Sequence, residues 1–415
     1  MDIEDRICRR IDEDTEALVE FTRKLIRIPS VNPPGDCKEV ARTMYDAFKS
    51  IGLRTKKVAA PRRIVEASGL SGYRPNVIAS LGKTLKRPVL LITTHMDVVD
   101  VGDYNTWSYK PFEATISNDK IYGRGACDAK NSLAAQVFAA KAIQEDEGHL
   151  MGTLMMAATV DDEGRLDKLR HPGMTYLVQN GFASSGFPLP DYVVNAEASN
   201  LENICGSFKG RLLFELQVTG CSPHPGVNPK TNAVQKMMAI ARAIENFERL
   251  DHPLHGKETI NLCSIQGVPT SLGDIPSRCT AVFDARVNPP SDTERIKKHV
   301  NSVLEDHKHR DTELAVDEII NHVNRGTNEI FPNDRLVLAI KKAAERVGIR
   351  NQFSGLFGAG ELYPLLEAGV SGVTYGAGDA TRIHVADEWI SIDELVKQTK
   401  IYALTALDLL GSPST

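Results

Sequence analysis

The stretch VLLITTHMD, residues 89–97, decides the fold. It begins with apolar and β-branched residues, a composition typical of a short buried strand, and it ends in His95 and Asp97. Three later runs of the same kind also lead into polar residues that can bind a metal or carry a proton. The four runs together predict buried strands in one sheet, and the later three are TLMMAATV (153–160), YVVN (192–195) and VSGVTY (370–375).

Helical patterns lie between the first three of these runs, at 132–144 and 174–179. Strands that alternate with helices indicate a mostly parallel, mixed sheet flanked by helices, and therefore the α/β class. A further helix is predicted over 15–26. Another is predicted over 334–347, and the last one begins with the capping box of Ser391 and Glu394.

The middle of the chain has a different order of elements. Its predicted order, β-α-β-β-α-β, indicates a separate small sheet with helices on one side. We therefore predict a catalytic domain in two parts, 1–206 and 324–415, with a lid or dimerisation domain inserted at 207–323. The predicted elements are strands at 211–218, 259–265, 279–287 and 314–320 and helices at 232–247 and 292–305.

Composition excludes several classes of protein. The chain has 415 residues and a formal net charge of −5, which does not favour a nucleic acid or an anionic membrane as partner. No apolar run approaches the roughly 18 residues of a membrane span, and the N-terminus lacks the apolar core of a signal peptide. We therefore expect a cytoplasmic protein. The seven cysteines form no CxxC pair, so a metal would be held by His, Asp and Glu.

Candidate ligands follow all four apolar runs: His95, the acidic turn 161–163, Glu197 and His384. Because a ligand site in an open α/β sheet lies beyond the carboxyl ends of the strands, these side chains are expected to converge. Taken singly, each has an ordinary alternative, such as a solvated turn or a surface histidine. Their shared position favours a zinc site, since Zn²⁺ accepts neutral imidazole and carboxylate where thiolates are absent.

The segment GRGACDAK, residues 123–130, adds Asp128 to this set. Asp128 stands just before a predicted helix, so one interpretation is a helix N-cap. The other is a carboxylate whose two oxygens bridge two metal ions ~3.5–4 Å apart, as in two-metal hydrolases. The sequence alone leaves both open.

These motifs, in this order, resemble the family of co-catalytic zinc peptidases and deacylases. That family includes acetylornithine deacetylase, succinyl-diaminopimelate desuccinylase, aminoacylase, carnosinase-type dipeptidases and glutamate carboxypeptidase. The resemblance runs from IPSVNPPG at 28–35 to the last helix. It implies a zinc-peptidase-like catalytic domain, a lid that also forms the interface of a homodimer, and two Zn²⁺ per subunit with Co²⁺ or Mn²⁺ as substitutes.

The resemblance also implies roles for individual residues. His95 and Glu197 would hold one zinc, Glu163 and His384 the second, and Asp128 would bridge them. Asp97 would fix the tautomer of His95, and Asp162 would be the general base. His224 would reach the partner subunit's active site, contact the substrate and stabilise the oxyanion, and Arg286 would bind a substrate carboxylate. Without the resemblance, His224 reads as a loop histidine beside prolines and Arg286 as a solvated strand-end arginine.

One departure from the family concerns the base. The family has two successive glutamates where this chain has Asp162 and Glu163. Asp162 is one methylene shorter, so it could miss the reach of about 2.6–3.2 Å that a general base needs. A shift of register that makes Asp161 the base is an alternative.

The expected function is hydrolysis of the amide bond of an N-acyl amino acid, as in acetylornithine deacetylase or succinyl-diaminopimelate desuccinylase. The first alternative is a dipeptidase or carboxypeptidase of the same family, acting on a short peptide. A third interpretation, from another class, is a catalytically impaired protein that keeps its metal and ligand sites but has lost its base at Asp162.

Overall fold

The computed structural model describes residues 2–81, 85–146, 150–163, 171–220, 232–268, 273–311 and 315–411. The chain forms two compact units, one of residues 1–206, 330–354 and 359–415, the other of 207–329 and 355–358. The second unit extends beyond residue 323 because its last long strand continues to Arg325. The sequence did not indicate this extension, since residues 321–325 (NHVNR) are mostly polar.

The helices are named α1–α11 in chain order. Their bounds are Ile3–Glu13, Thr15–Ile26, Lys38–Ser50, Arg62–Ala67, Lys130–Glu145, Phe182–Ser185, Ala233–Glu245, Thr293–Arg310, Arg335–Arg346, Tyr363–Glu367 and Ile392–Leu410. The helix predicted at 174–179 falls within wider π-helical turns at His171–Thr175 and Leu177–Gly181.

The strands are named β1–β18 in the same way. The first nine are Arg54–Ala59, Pro75–Leu81, Val89–His95, Thr115–Ser117, Lys120–Tyr122, Thr153–Thr159, Tyr192–Asn195, Asn203–Phe208 and Gly210–Thr219. The others are Asp251–His252, Gly256–Lys257, Thr259–Gly267, Arg278–Val287, Ala315–Arg325, Asn328–Glu329, Gln352–Leu356, Ser371–Thr374 and Trp389–Ser391.

The main sheet of the first unit has the strand order β1-β2-β6-β3-β7-β17-β8. Its four central strands, β6, β3, β7 and β17, are mutually parallel, whereas β1, β2 and β8 pair antiparallel with their neighbours. Helices α5 and α11 pack on β3 and on each other. This arrangement confirms the α/β class and the mixed sheet flanked by helices.

Burial explains why the central strands were recognisable. All seven residues of β3 and of β6 are buried, as is usual for parallel strands with both faces covered. The two strands are in register, with Leu90 opposite Leu154 and His95 opposite Thr159. Because the strands run in the same direction, the residues that follow them leave the sheet at the same edge.

The second unit has an antiparallel sheet with the order β12-β13-β9-β14, and helices α7 and α8 pack on it. Buried and partly exposed residues alternate along β9 and β13, which places one face of each strand in a core of its own. Phe214 and Phe283 stack at 5.1 Å between ring centres in this core. A short hairpin, β10–β11, was not predicted.

Within the described ranges, no helix combines the length and the apolar character that a membrane span needs.

Candidate metal centre

The candidate ligands lie at the carboxyl ends of the four central parallel strands. His95 ends β3, Asp162 and Glu163 follow β6, and Glu197 follows β7. The potential ligand atoms form two groups of three, and within each group all three atoms lie within 4.8 Å of one another. One contains His95, Asp162 and Glu197, and the other contains His95, Asp128 and Glu163.

Asp128 connects the two sides of this cluster. Its Oδ1 lies 3.1 Å from Nε2 of His95, and its Oδ2 lies 3.1 Å from Nε2 of His384. His384 Nε2 is also 3.0 Å from Oε1 of Glu163. Helix α5 begins at Lys130, its N-cap is Ala129, and that cap makes no side-chain hydrogen bond. Asp128 is therefore not the N-cap, and each of its two carboxylate oxygens faces a different histidine.

The orientation of His95 is fixed by the residue two positions along. Its Nδ1 donates a 2.8 Å hydrogen bond to the main-chain carbonyl of Asp97, because a carbonyl can only accept. The Asp97 carboxylate, expected from the sequence to hold this nitrogen, is 3.9 Å away. In the neutral ring, Nε2 then presents a lone pair towards the Asp128 carboxylate, an arrangement that suits a cation between them.

The Asp97 carboxylate instead holds the loop after β6. It accepts hydrogen bonds from the backbone N–H groups of Glu163 at 2.9 Å and of Asp162 at 3.3 Å, and from the amide of Asn32 at 2.8 Å. Asp97 is fully buried. It therefore positions two side chains of the cluster through their backbone.

Ionisation in the cluster reflects an excess of negative charge. Burial raises the pKa of Glu163 to about 7, and burial together with the nearby Asp162 raises the pKa of Glu197 well above its usual value. Hydrogen bonds to Asp128 and Glu163 raise the pKa of His384 to about 10. Burial would lower the pKa of His95, but the hydrogen bond and charge of Asp128 raise it overall.

These shifts test whether the residues fit a metal ion. Several carboxylates lie within one small volume, and the Nε2 atoms of His95 and His384 lie 3.1 Å from the oxygens of Asp128. A divalent cation would balance this charge, and the set of imidazole and carboxylate donors matches Zn²⁺ better than a hard, oxygen-only ion. The residues present therefore fit a metal pair.

Asp161, the alternative base, lies outside both ligand groups. Its Oδ1 accepts hydrogen bonds from Arg74 and from Asn32, the latter at 3.1 Å. Arg74 and Asp161 are both buried, so this carboxylate is already paired. Asp162, by contrast, faces His95 and Glu197. The arrangement favours Asp162 over Asp161 as the group that works on a substrate.

Glu361 is an acidic residue beside the cluster that the sequence did not reveal. It is buried and accepts hydrogen bonds from the hydroxyls of Thr93, at 3.0 Å, and Thr159. Burial and the charge of Asp162 raise its pKa to about 7. No sequence signal identified it, because its partners are more than 200 residues away along the chain.

The two candidate substrate contacts belong to residues 207–323. His224 lies outside the described residues. Arg286 is in β13 of the second unit, where its Nε donates to Asp284 at 2.8 Å and its Nη1 donates to the carbonyl of Phe357 at 2.6 Å. Asp284 also pairs with Arg211 at 2.5 Å. These contacts hold the guanidinium in a fixed orientation.

A mixed sheet flanked by helices, with two histidines and several carboxylates gathered beyond its strand ends, is typical of metal-dependent hydrolases. The model of "Peptidase family M20/M25/M40" matches residues 91–408, which is most of the chain. The chain belongs to this family, and it is a hydrolase of a metal-dependent kind. That finding confirms the family resemblance seen in the sequence.

The sequence identity to individual relatives is low. A succinyl-diaminopimelate desuccinylase from Stenotrophomonas maltophilia is 26% identical over 398 residues, covering 93% of this chain and 97% of the relative. Two solved structures share the fold. An M20 family metallo-carboxypeptidase from Sulfolobus solfataricus has a TM-score of 0.71 at 22% identity, covering 96% of this chain and 99% of its own. The second is Bacillus subtilis YxeP, described as a dinuclear metal-binding peptidase of the M20 family. It has a TM-score of 0.70 at 14% identity, covering 96% of this chain and 99% of its own.

Proposed function

We propose that this protein hydrolyses the amide bond of an N-acyl amino acid at a pair of zinc ions. The observation that carries the proposal is the position of Asp128, whose two oxygens each lie 3.1 Å from the Nε2 atom of a different histidine. A carboxylate placed in this way suits a bridge between two cations. The similarity to a succinyl-diaminopimelate desuccinylase, which covers 93% of this chain, supports an N-acyl amino acid as the substrate.

The proposed ligand assignment is the one that the family resemblance implies, and the contacts of Asp128 with the two histidines support it. His95 and Glu197 would hold one ion, Glu163 and His384 the other, with Asp128 between them. Zn²⁺ is proposed as the metal, and Co²⁺ or Mn²⁺ as substitutes. When bound, such a pair lowers the pKa of a water molecule to around 7 and polarises a carbonyl group.

Asp162 is proposed as the general base. Its carboxylate lies beside His95 and Glu197, and its backbone N–H is held by Asp97. It would take one proton from the attacking water while the water oxygen bonds to the amide carbon. The same proton would pass to the departing nitrogen as the C–N bond breaks, leaving an amine and a carboxylic acid, which releases its own proton to solvent at neutral pH. Gly360 lies beside this carboxylate, and a Cβ at position 360 would lie 3.8 Å from Oδ2 of Asp162.

Substrate recognition is proposed for the inserted domain. Arg286 would pair with the carboxylate of the amino acid product, because a guanidinium can form two parallel hydrogen bonds to it. The interactions described above use Nε and Nη1, and within the described part of the chain Nη2 makes no hydrogen bond. His224 is proposed, from the resemblance alone, to stabilise the oxyanion in the active site of a partner subunit.

A homodimer and a cytoplasmic location are also proposed. Strands β12 and β14 are the edges of the inserted sheet, and Ile265 and Ile319 on them are each 38% exposed. Exposed edges of this kind can pair with a second copy. Light scattering coupled to gel filtration measures the mass, and a monomer would contradict the dimer.

A dipeptidase or carboxypeptidase activity is the second candidate, favoured by the likeness of the fold to a metallo-carboxypeptidase. The experiment that separates the two measures hydrolysis of N-acetyl- and N-succinyl-amino acids against a panel of dipeptides, using protein loaded with Zn²⁺ or Co²⁺. Faster turnover of the acyl-amino acids is expected. A preference for dipeptides would replace the first proposal with the second.

The third interpretation, an impaired binding protein, is tested with the same panel. If the wild type is inactive on every substrate and Asp162→Glu is active, the base has been lost and the binding interpretation holds. If metal removal with a chelator leaves full activity, the metal centre itself is wrong.

A further inference from the structure

Glu388 is a fully buried carboxylate that lies four residues after His384. Its Oε1 accepts three backbone N–H groups, from Gly125 at 3.0 Å, Cys127 at 2.8 Å and Asp128 at 3.0 Å. One oxygen therefore fixes the backbone of the loop that presents Asp128. Three donors that converge on a single atom suit an anionic acceptor, because hydrogen bonds to a charged group are stronger than neutral ones.

Arg124 holds this carboxylate from the other side. Its Nη1 donates to Oε2 of Glu388 at 2.6 Å, and the two side chains are 2% and 0% exposed. Arg124 also donates to the carbonyls of Val385 at 3.2 Å and Asp100 at 3.3 Å. Its guanidinium carbon lies 5.1 Å from the ring centre of Trp107.

The pair therefore links three loops that carry candidate ligands. Asp100 belongs to the loop after His95, Arg124 to the loop of Asp128, and Val385 follows His384 directly. A buried ion pair contributes little net stability compared with well-packed apolar side chains, because removing both charges from water is costly. Its value in this position lies in geometry, since it continues the pairing of β5 with β18 into the loops that carry Asp128 and His384 and connects both to the loop after His95.

We propose that Glu388, oriented by Arg124, is the positioning residue that sets Asp128 and His384 at metal-binding distance from each other. The inference rests on the proposed metal centre. It predicts an asymmetry between the two ions, because the site of Asp128, Glu163 and His384 takes two of its ligands from loops held by Glu388. The other site shares Asp128 but keeps His95 and Glu197, with which Glu388 makes no hydrogen bond in the described part of the chain.

The test titrates metal-free Glu388→Gln with Co²⁺ and follows visible absorption and the number of bound ions. The carboxamide has nearly the same size as the carboxylate but loses the charge that pairs with Arg124. The wild type is expected to bind two ions. In the variant, the Kd of one ion should rise by about 10- to 100-fold, the range observed when hydrogen bonds that orient a metal ligand are lost. The Kd of the other ion, which shares only Asp128, should rise less.

Glu258→Gln is the matched control. Glu258 is also fully buried, accepts backbone N–H groups from Leu250 at 3.0 Å and Asn288 at 3.1 Å, and pairs with Arg295. It belongs to the second unit, whereas every candidate metal ligand belongs to the first. This control should lose thermal stability comparably and still bind both ions with wild-type affinity.

The outcomes separate this inference from the proposed function. A wild type that binds two ions, with a Glu388→Gln variant that binds both equally well, overturns the inference alone. Equal weakening of both ions, or the same loss in Glu258→Gln, also overturns it, since that indicates general destabilisation. A wild type that binds no metal overturns the metal centre and this inference together. If Glu388→Gln does not fold, Arg124→Lys is titrated in its place, and selective weakening of one ion is again the supporting result.

Discussion

The backbone N–H of Glu163 donates a 2.9 Å hydrogen bond to Oδ2 of Asp97. Asp97 follows β3 and Glu163 follows β6, so one carboxylate joins the ends of two adjacent parallel strands. The carbonyl of the same residue fixes His95. Asp97 thus acts on candidate ligands from both strands, through its side chain on one and its main chain on the other.

Asp97→Asn is therefore expected to disturb the loop after β6 more than the ring of His95. The carboxamide keeps one acceptor but turns an N–H₂ group towards backbone donors that need an acceptor. We expect metal affinity and kcat/KM to fall by about 10- to 100-fold. Metal titration and steady-state kinetics measure the two effects.

Asp100→Asn is the control for this change. Asp100 lies in the same loop, and its side chain accepts only the turn N–H of Gly102, at 2.7 Å. The control should keep wild-type affinity and rate. Equal effects of the two substitutions would contradict the assigned role of Asp97.

Metal removal is expected to lower the melting temperature as well as abolish activity. The ions would bind the folded cluster and not the unfolded chain. A free metal concentration of 100 times the Kd should therefore raise the free energy of unfolding by about 2.7 kcal/mol. Differential scanning calorimetry of metal-free protein with added Zn²⁺ measures this gain. Mg²⁺ at the same concentration should give a much smaller one, because it prefers oxygen ligands. An identical melting temperature with and without Zn²⁺ would be inconsistent with the proposed centre.

Much of the fold could be predicted because its central strands are buried on both faces. The runs at 89–94 and 153–160 are continuously apolar, and each ends where polar residues leave the sheet. The edge strand β1 was not predicted, because Arg54, Lys56 and Lys57 interrupt its pattern. Those charges are tolerated at the exposed edge of a sheet.

The supporting residues of the site could not be predicted for a different reason. Arg124 and Glu388 are 264 residues apart in sequence, and Arg74 and Asp161 are 87 apart. A buried ion pair has no periodicity, and each member alone reads as a surface charge. Only the folded chain shows that these charges have partners.

Asp162→Asn tests the proposed base directly. The carboxamide cannot accept a proton at neutral pH, so kcat is expected to fall by about 10²- to 10⁴-fold, the usual contribution of general base catalysis. The number of bound ions should stay at two. Asp162→Glu should remain active, because it keeps a carboxylate that can accept the proton. Loss of one bound ion in Asp162→Asn would instead make Asp162 a metal ligand.

His255 gives a pH dependence in the second unit, independent of any metal. It is buried, its Nε2 lies 2.8 Å from the hydroxyl of Ser207, and its ring lies 5.0 Å from that of His252. Burial, with the positive charges of His252 and Lys209, lowers the pKa of His255 to about 4, although Glu329 opposes this. The folded state thus favours the neutral ring.

The sign of the effect follows from proton binding. The unfolded chain has the ordinary histidine pKa of about 6.5, so between pH 6.5 and 4 it binds more protons at this site than the folded chain does. The contribution of His255 to stability is complete above pH 6.5 and is lost as the pH falls to about 4. The melting temperature of the wild type should therefore fall more steeply over this window than that of His255→Gln. His309→Gln, at an exposed position on α8, should keep the wild-type slope. Parallel curves for the wild type and His255→Gln would show that the pKa of His255 is the same in the folded and the unfolded chain, which contradicts the prediction.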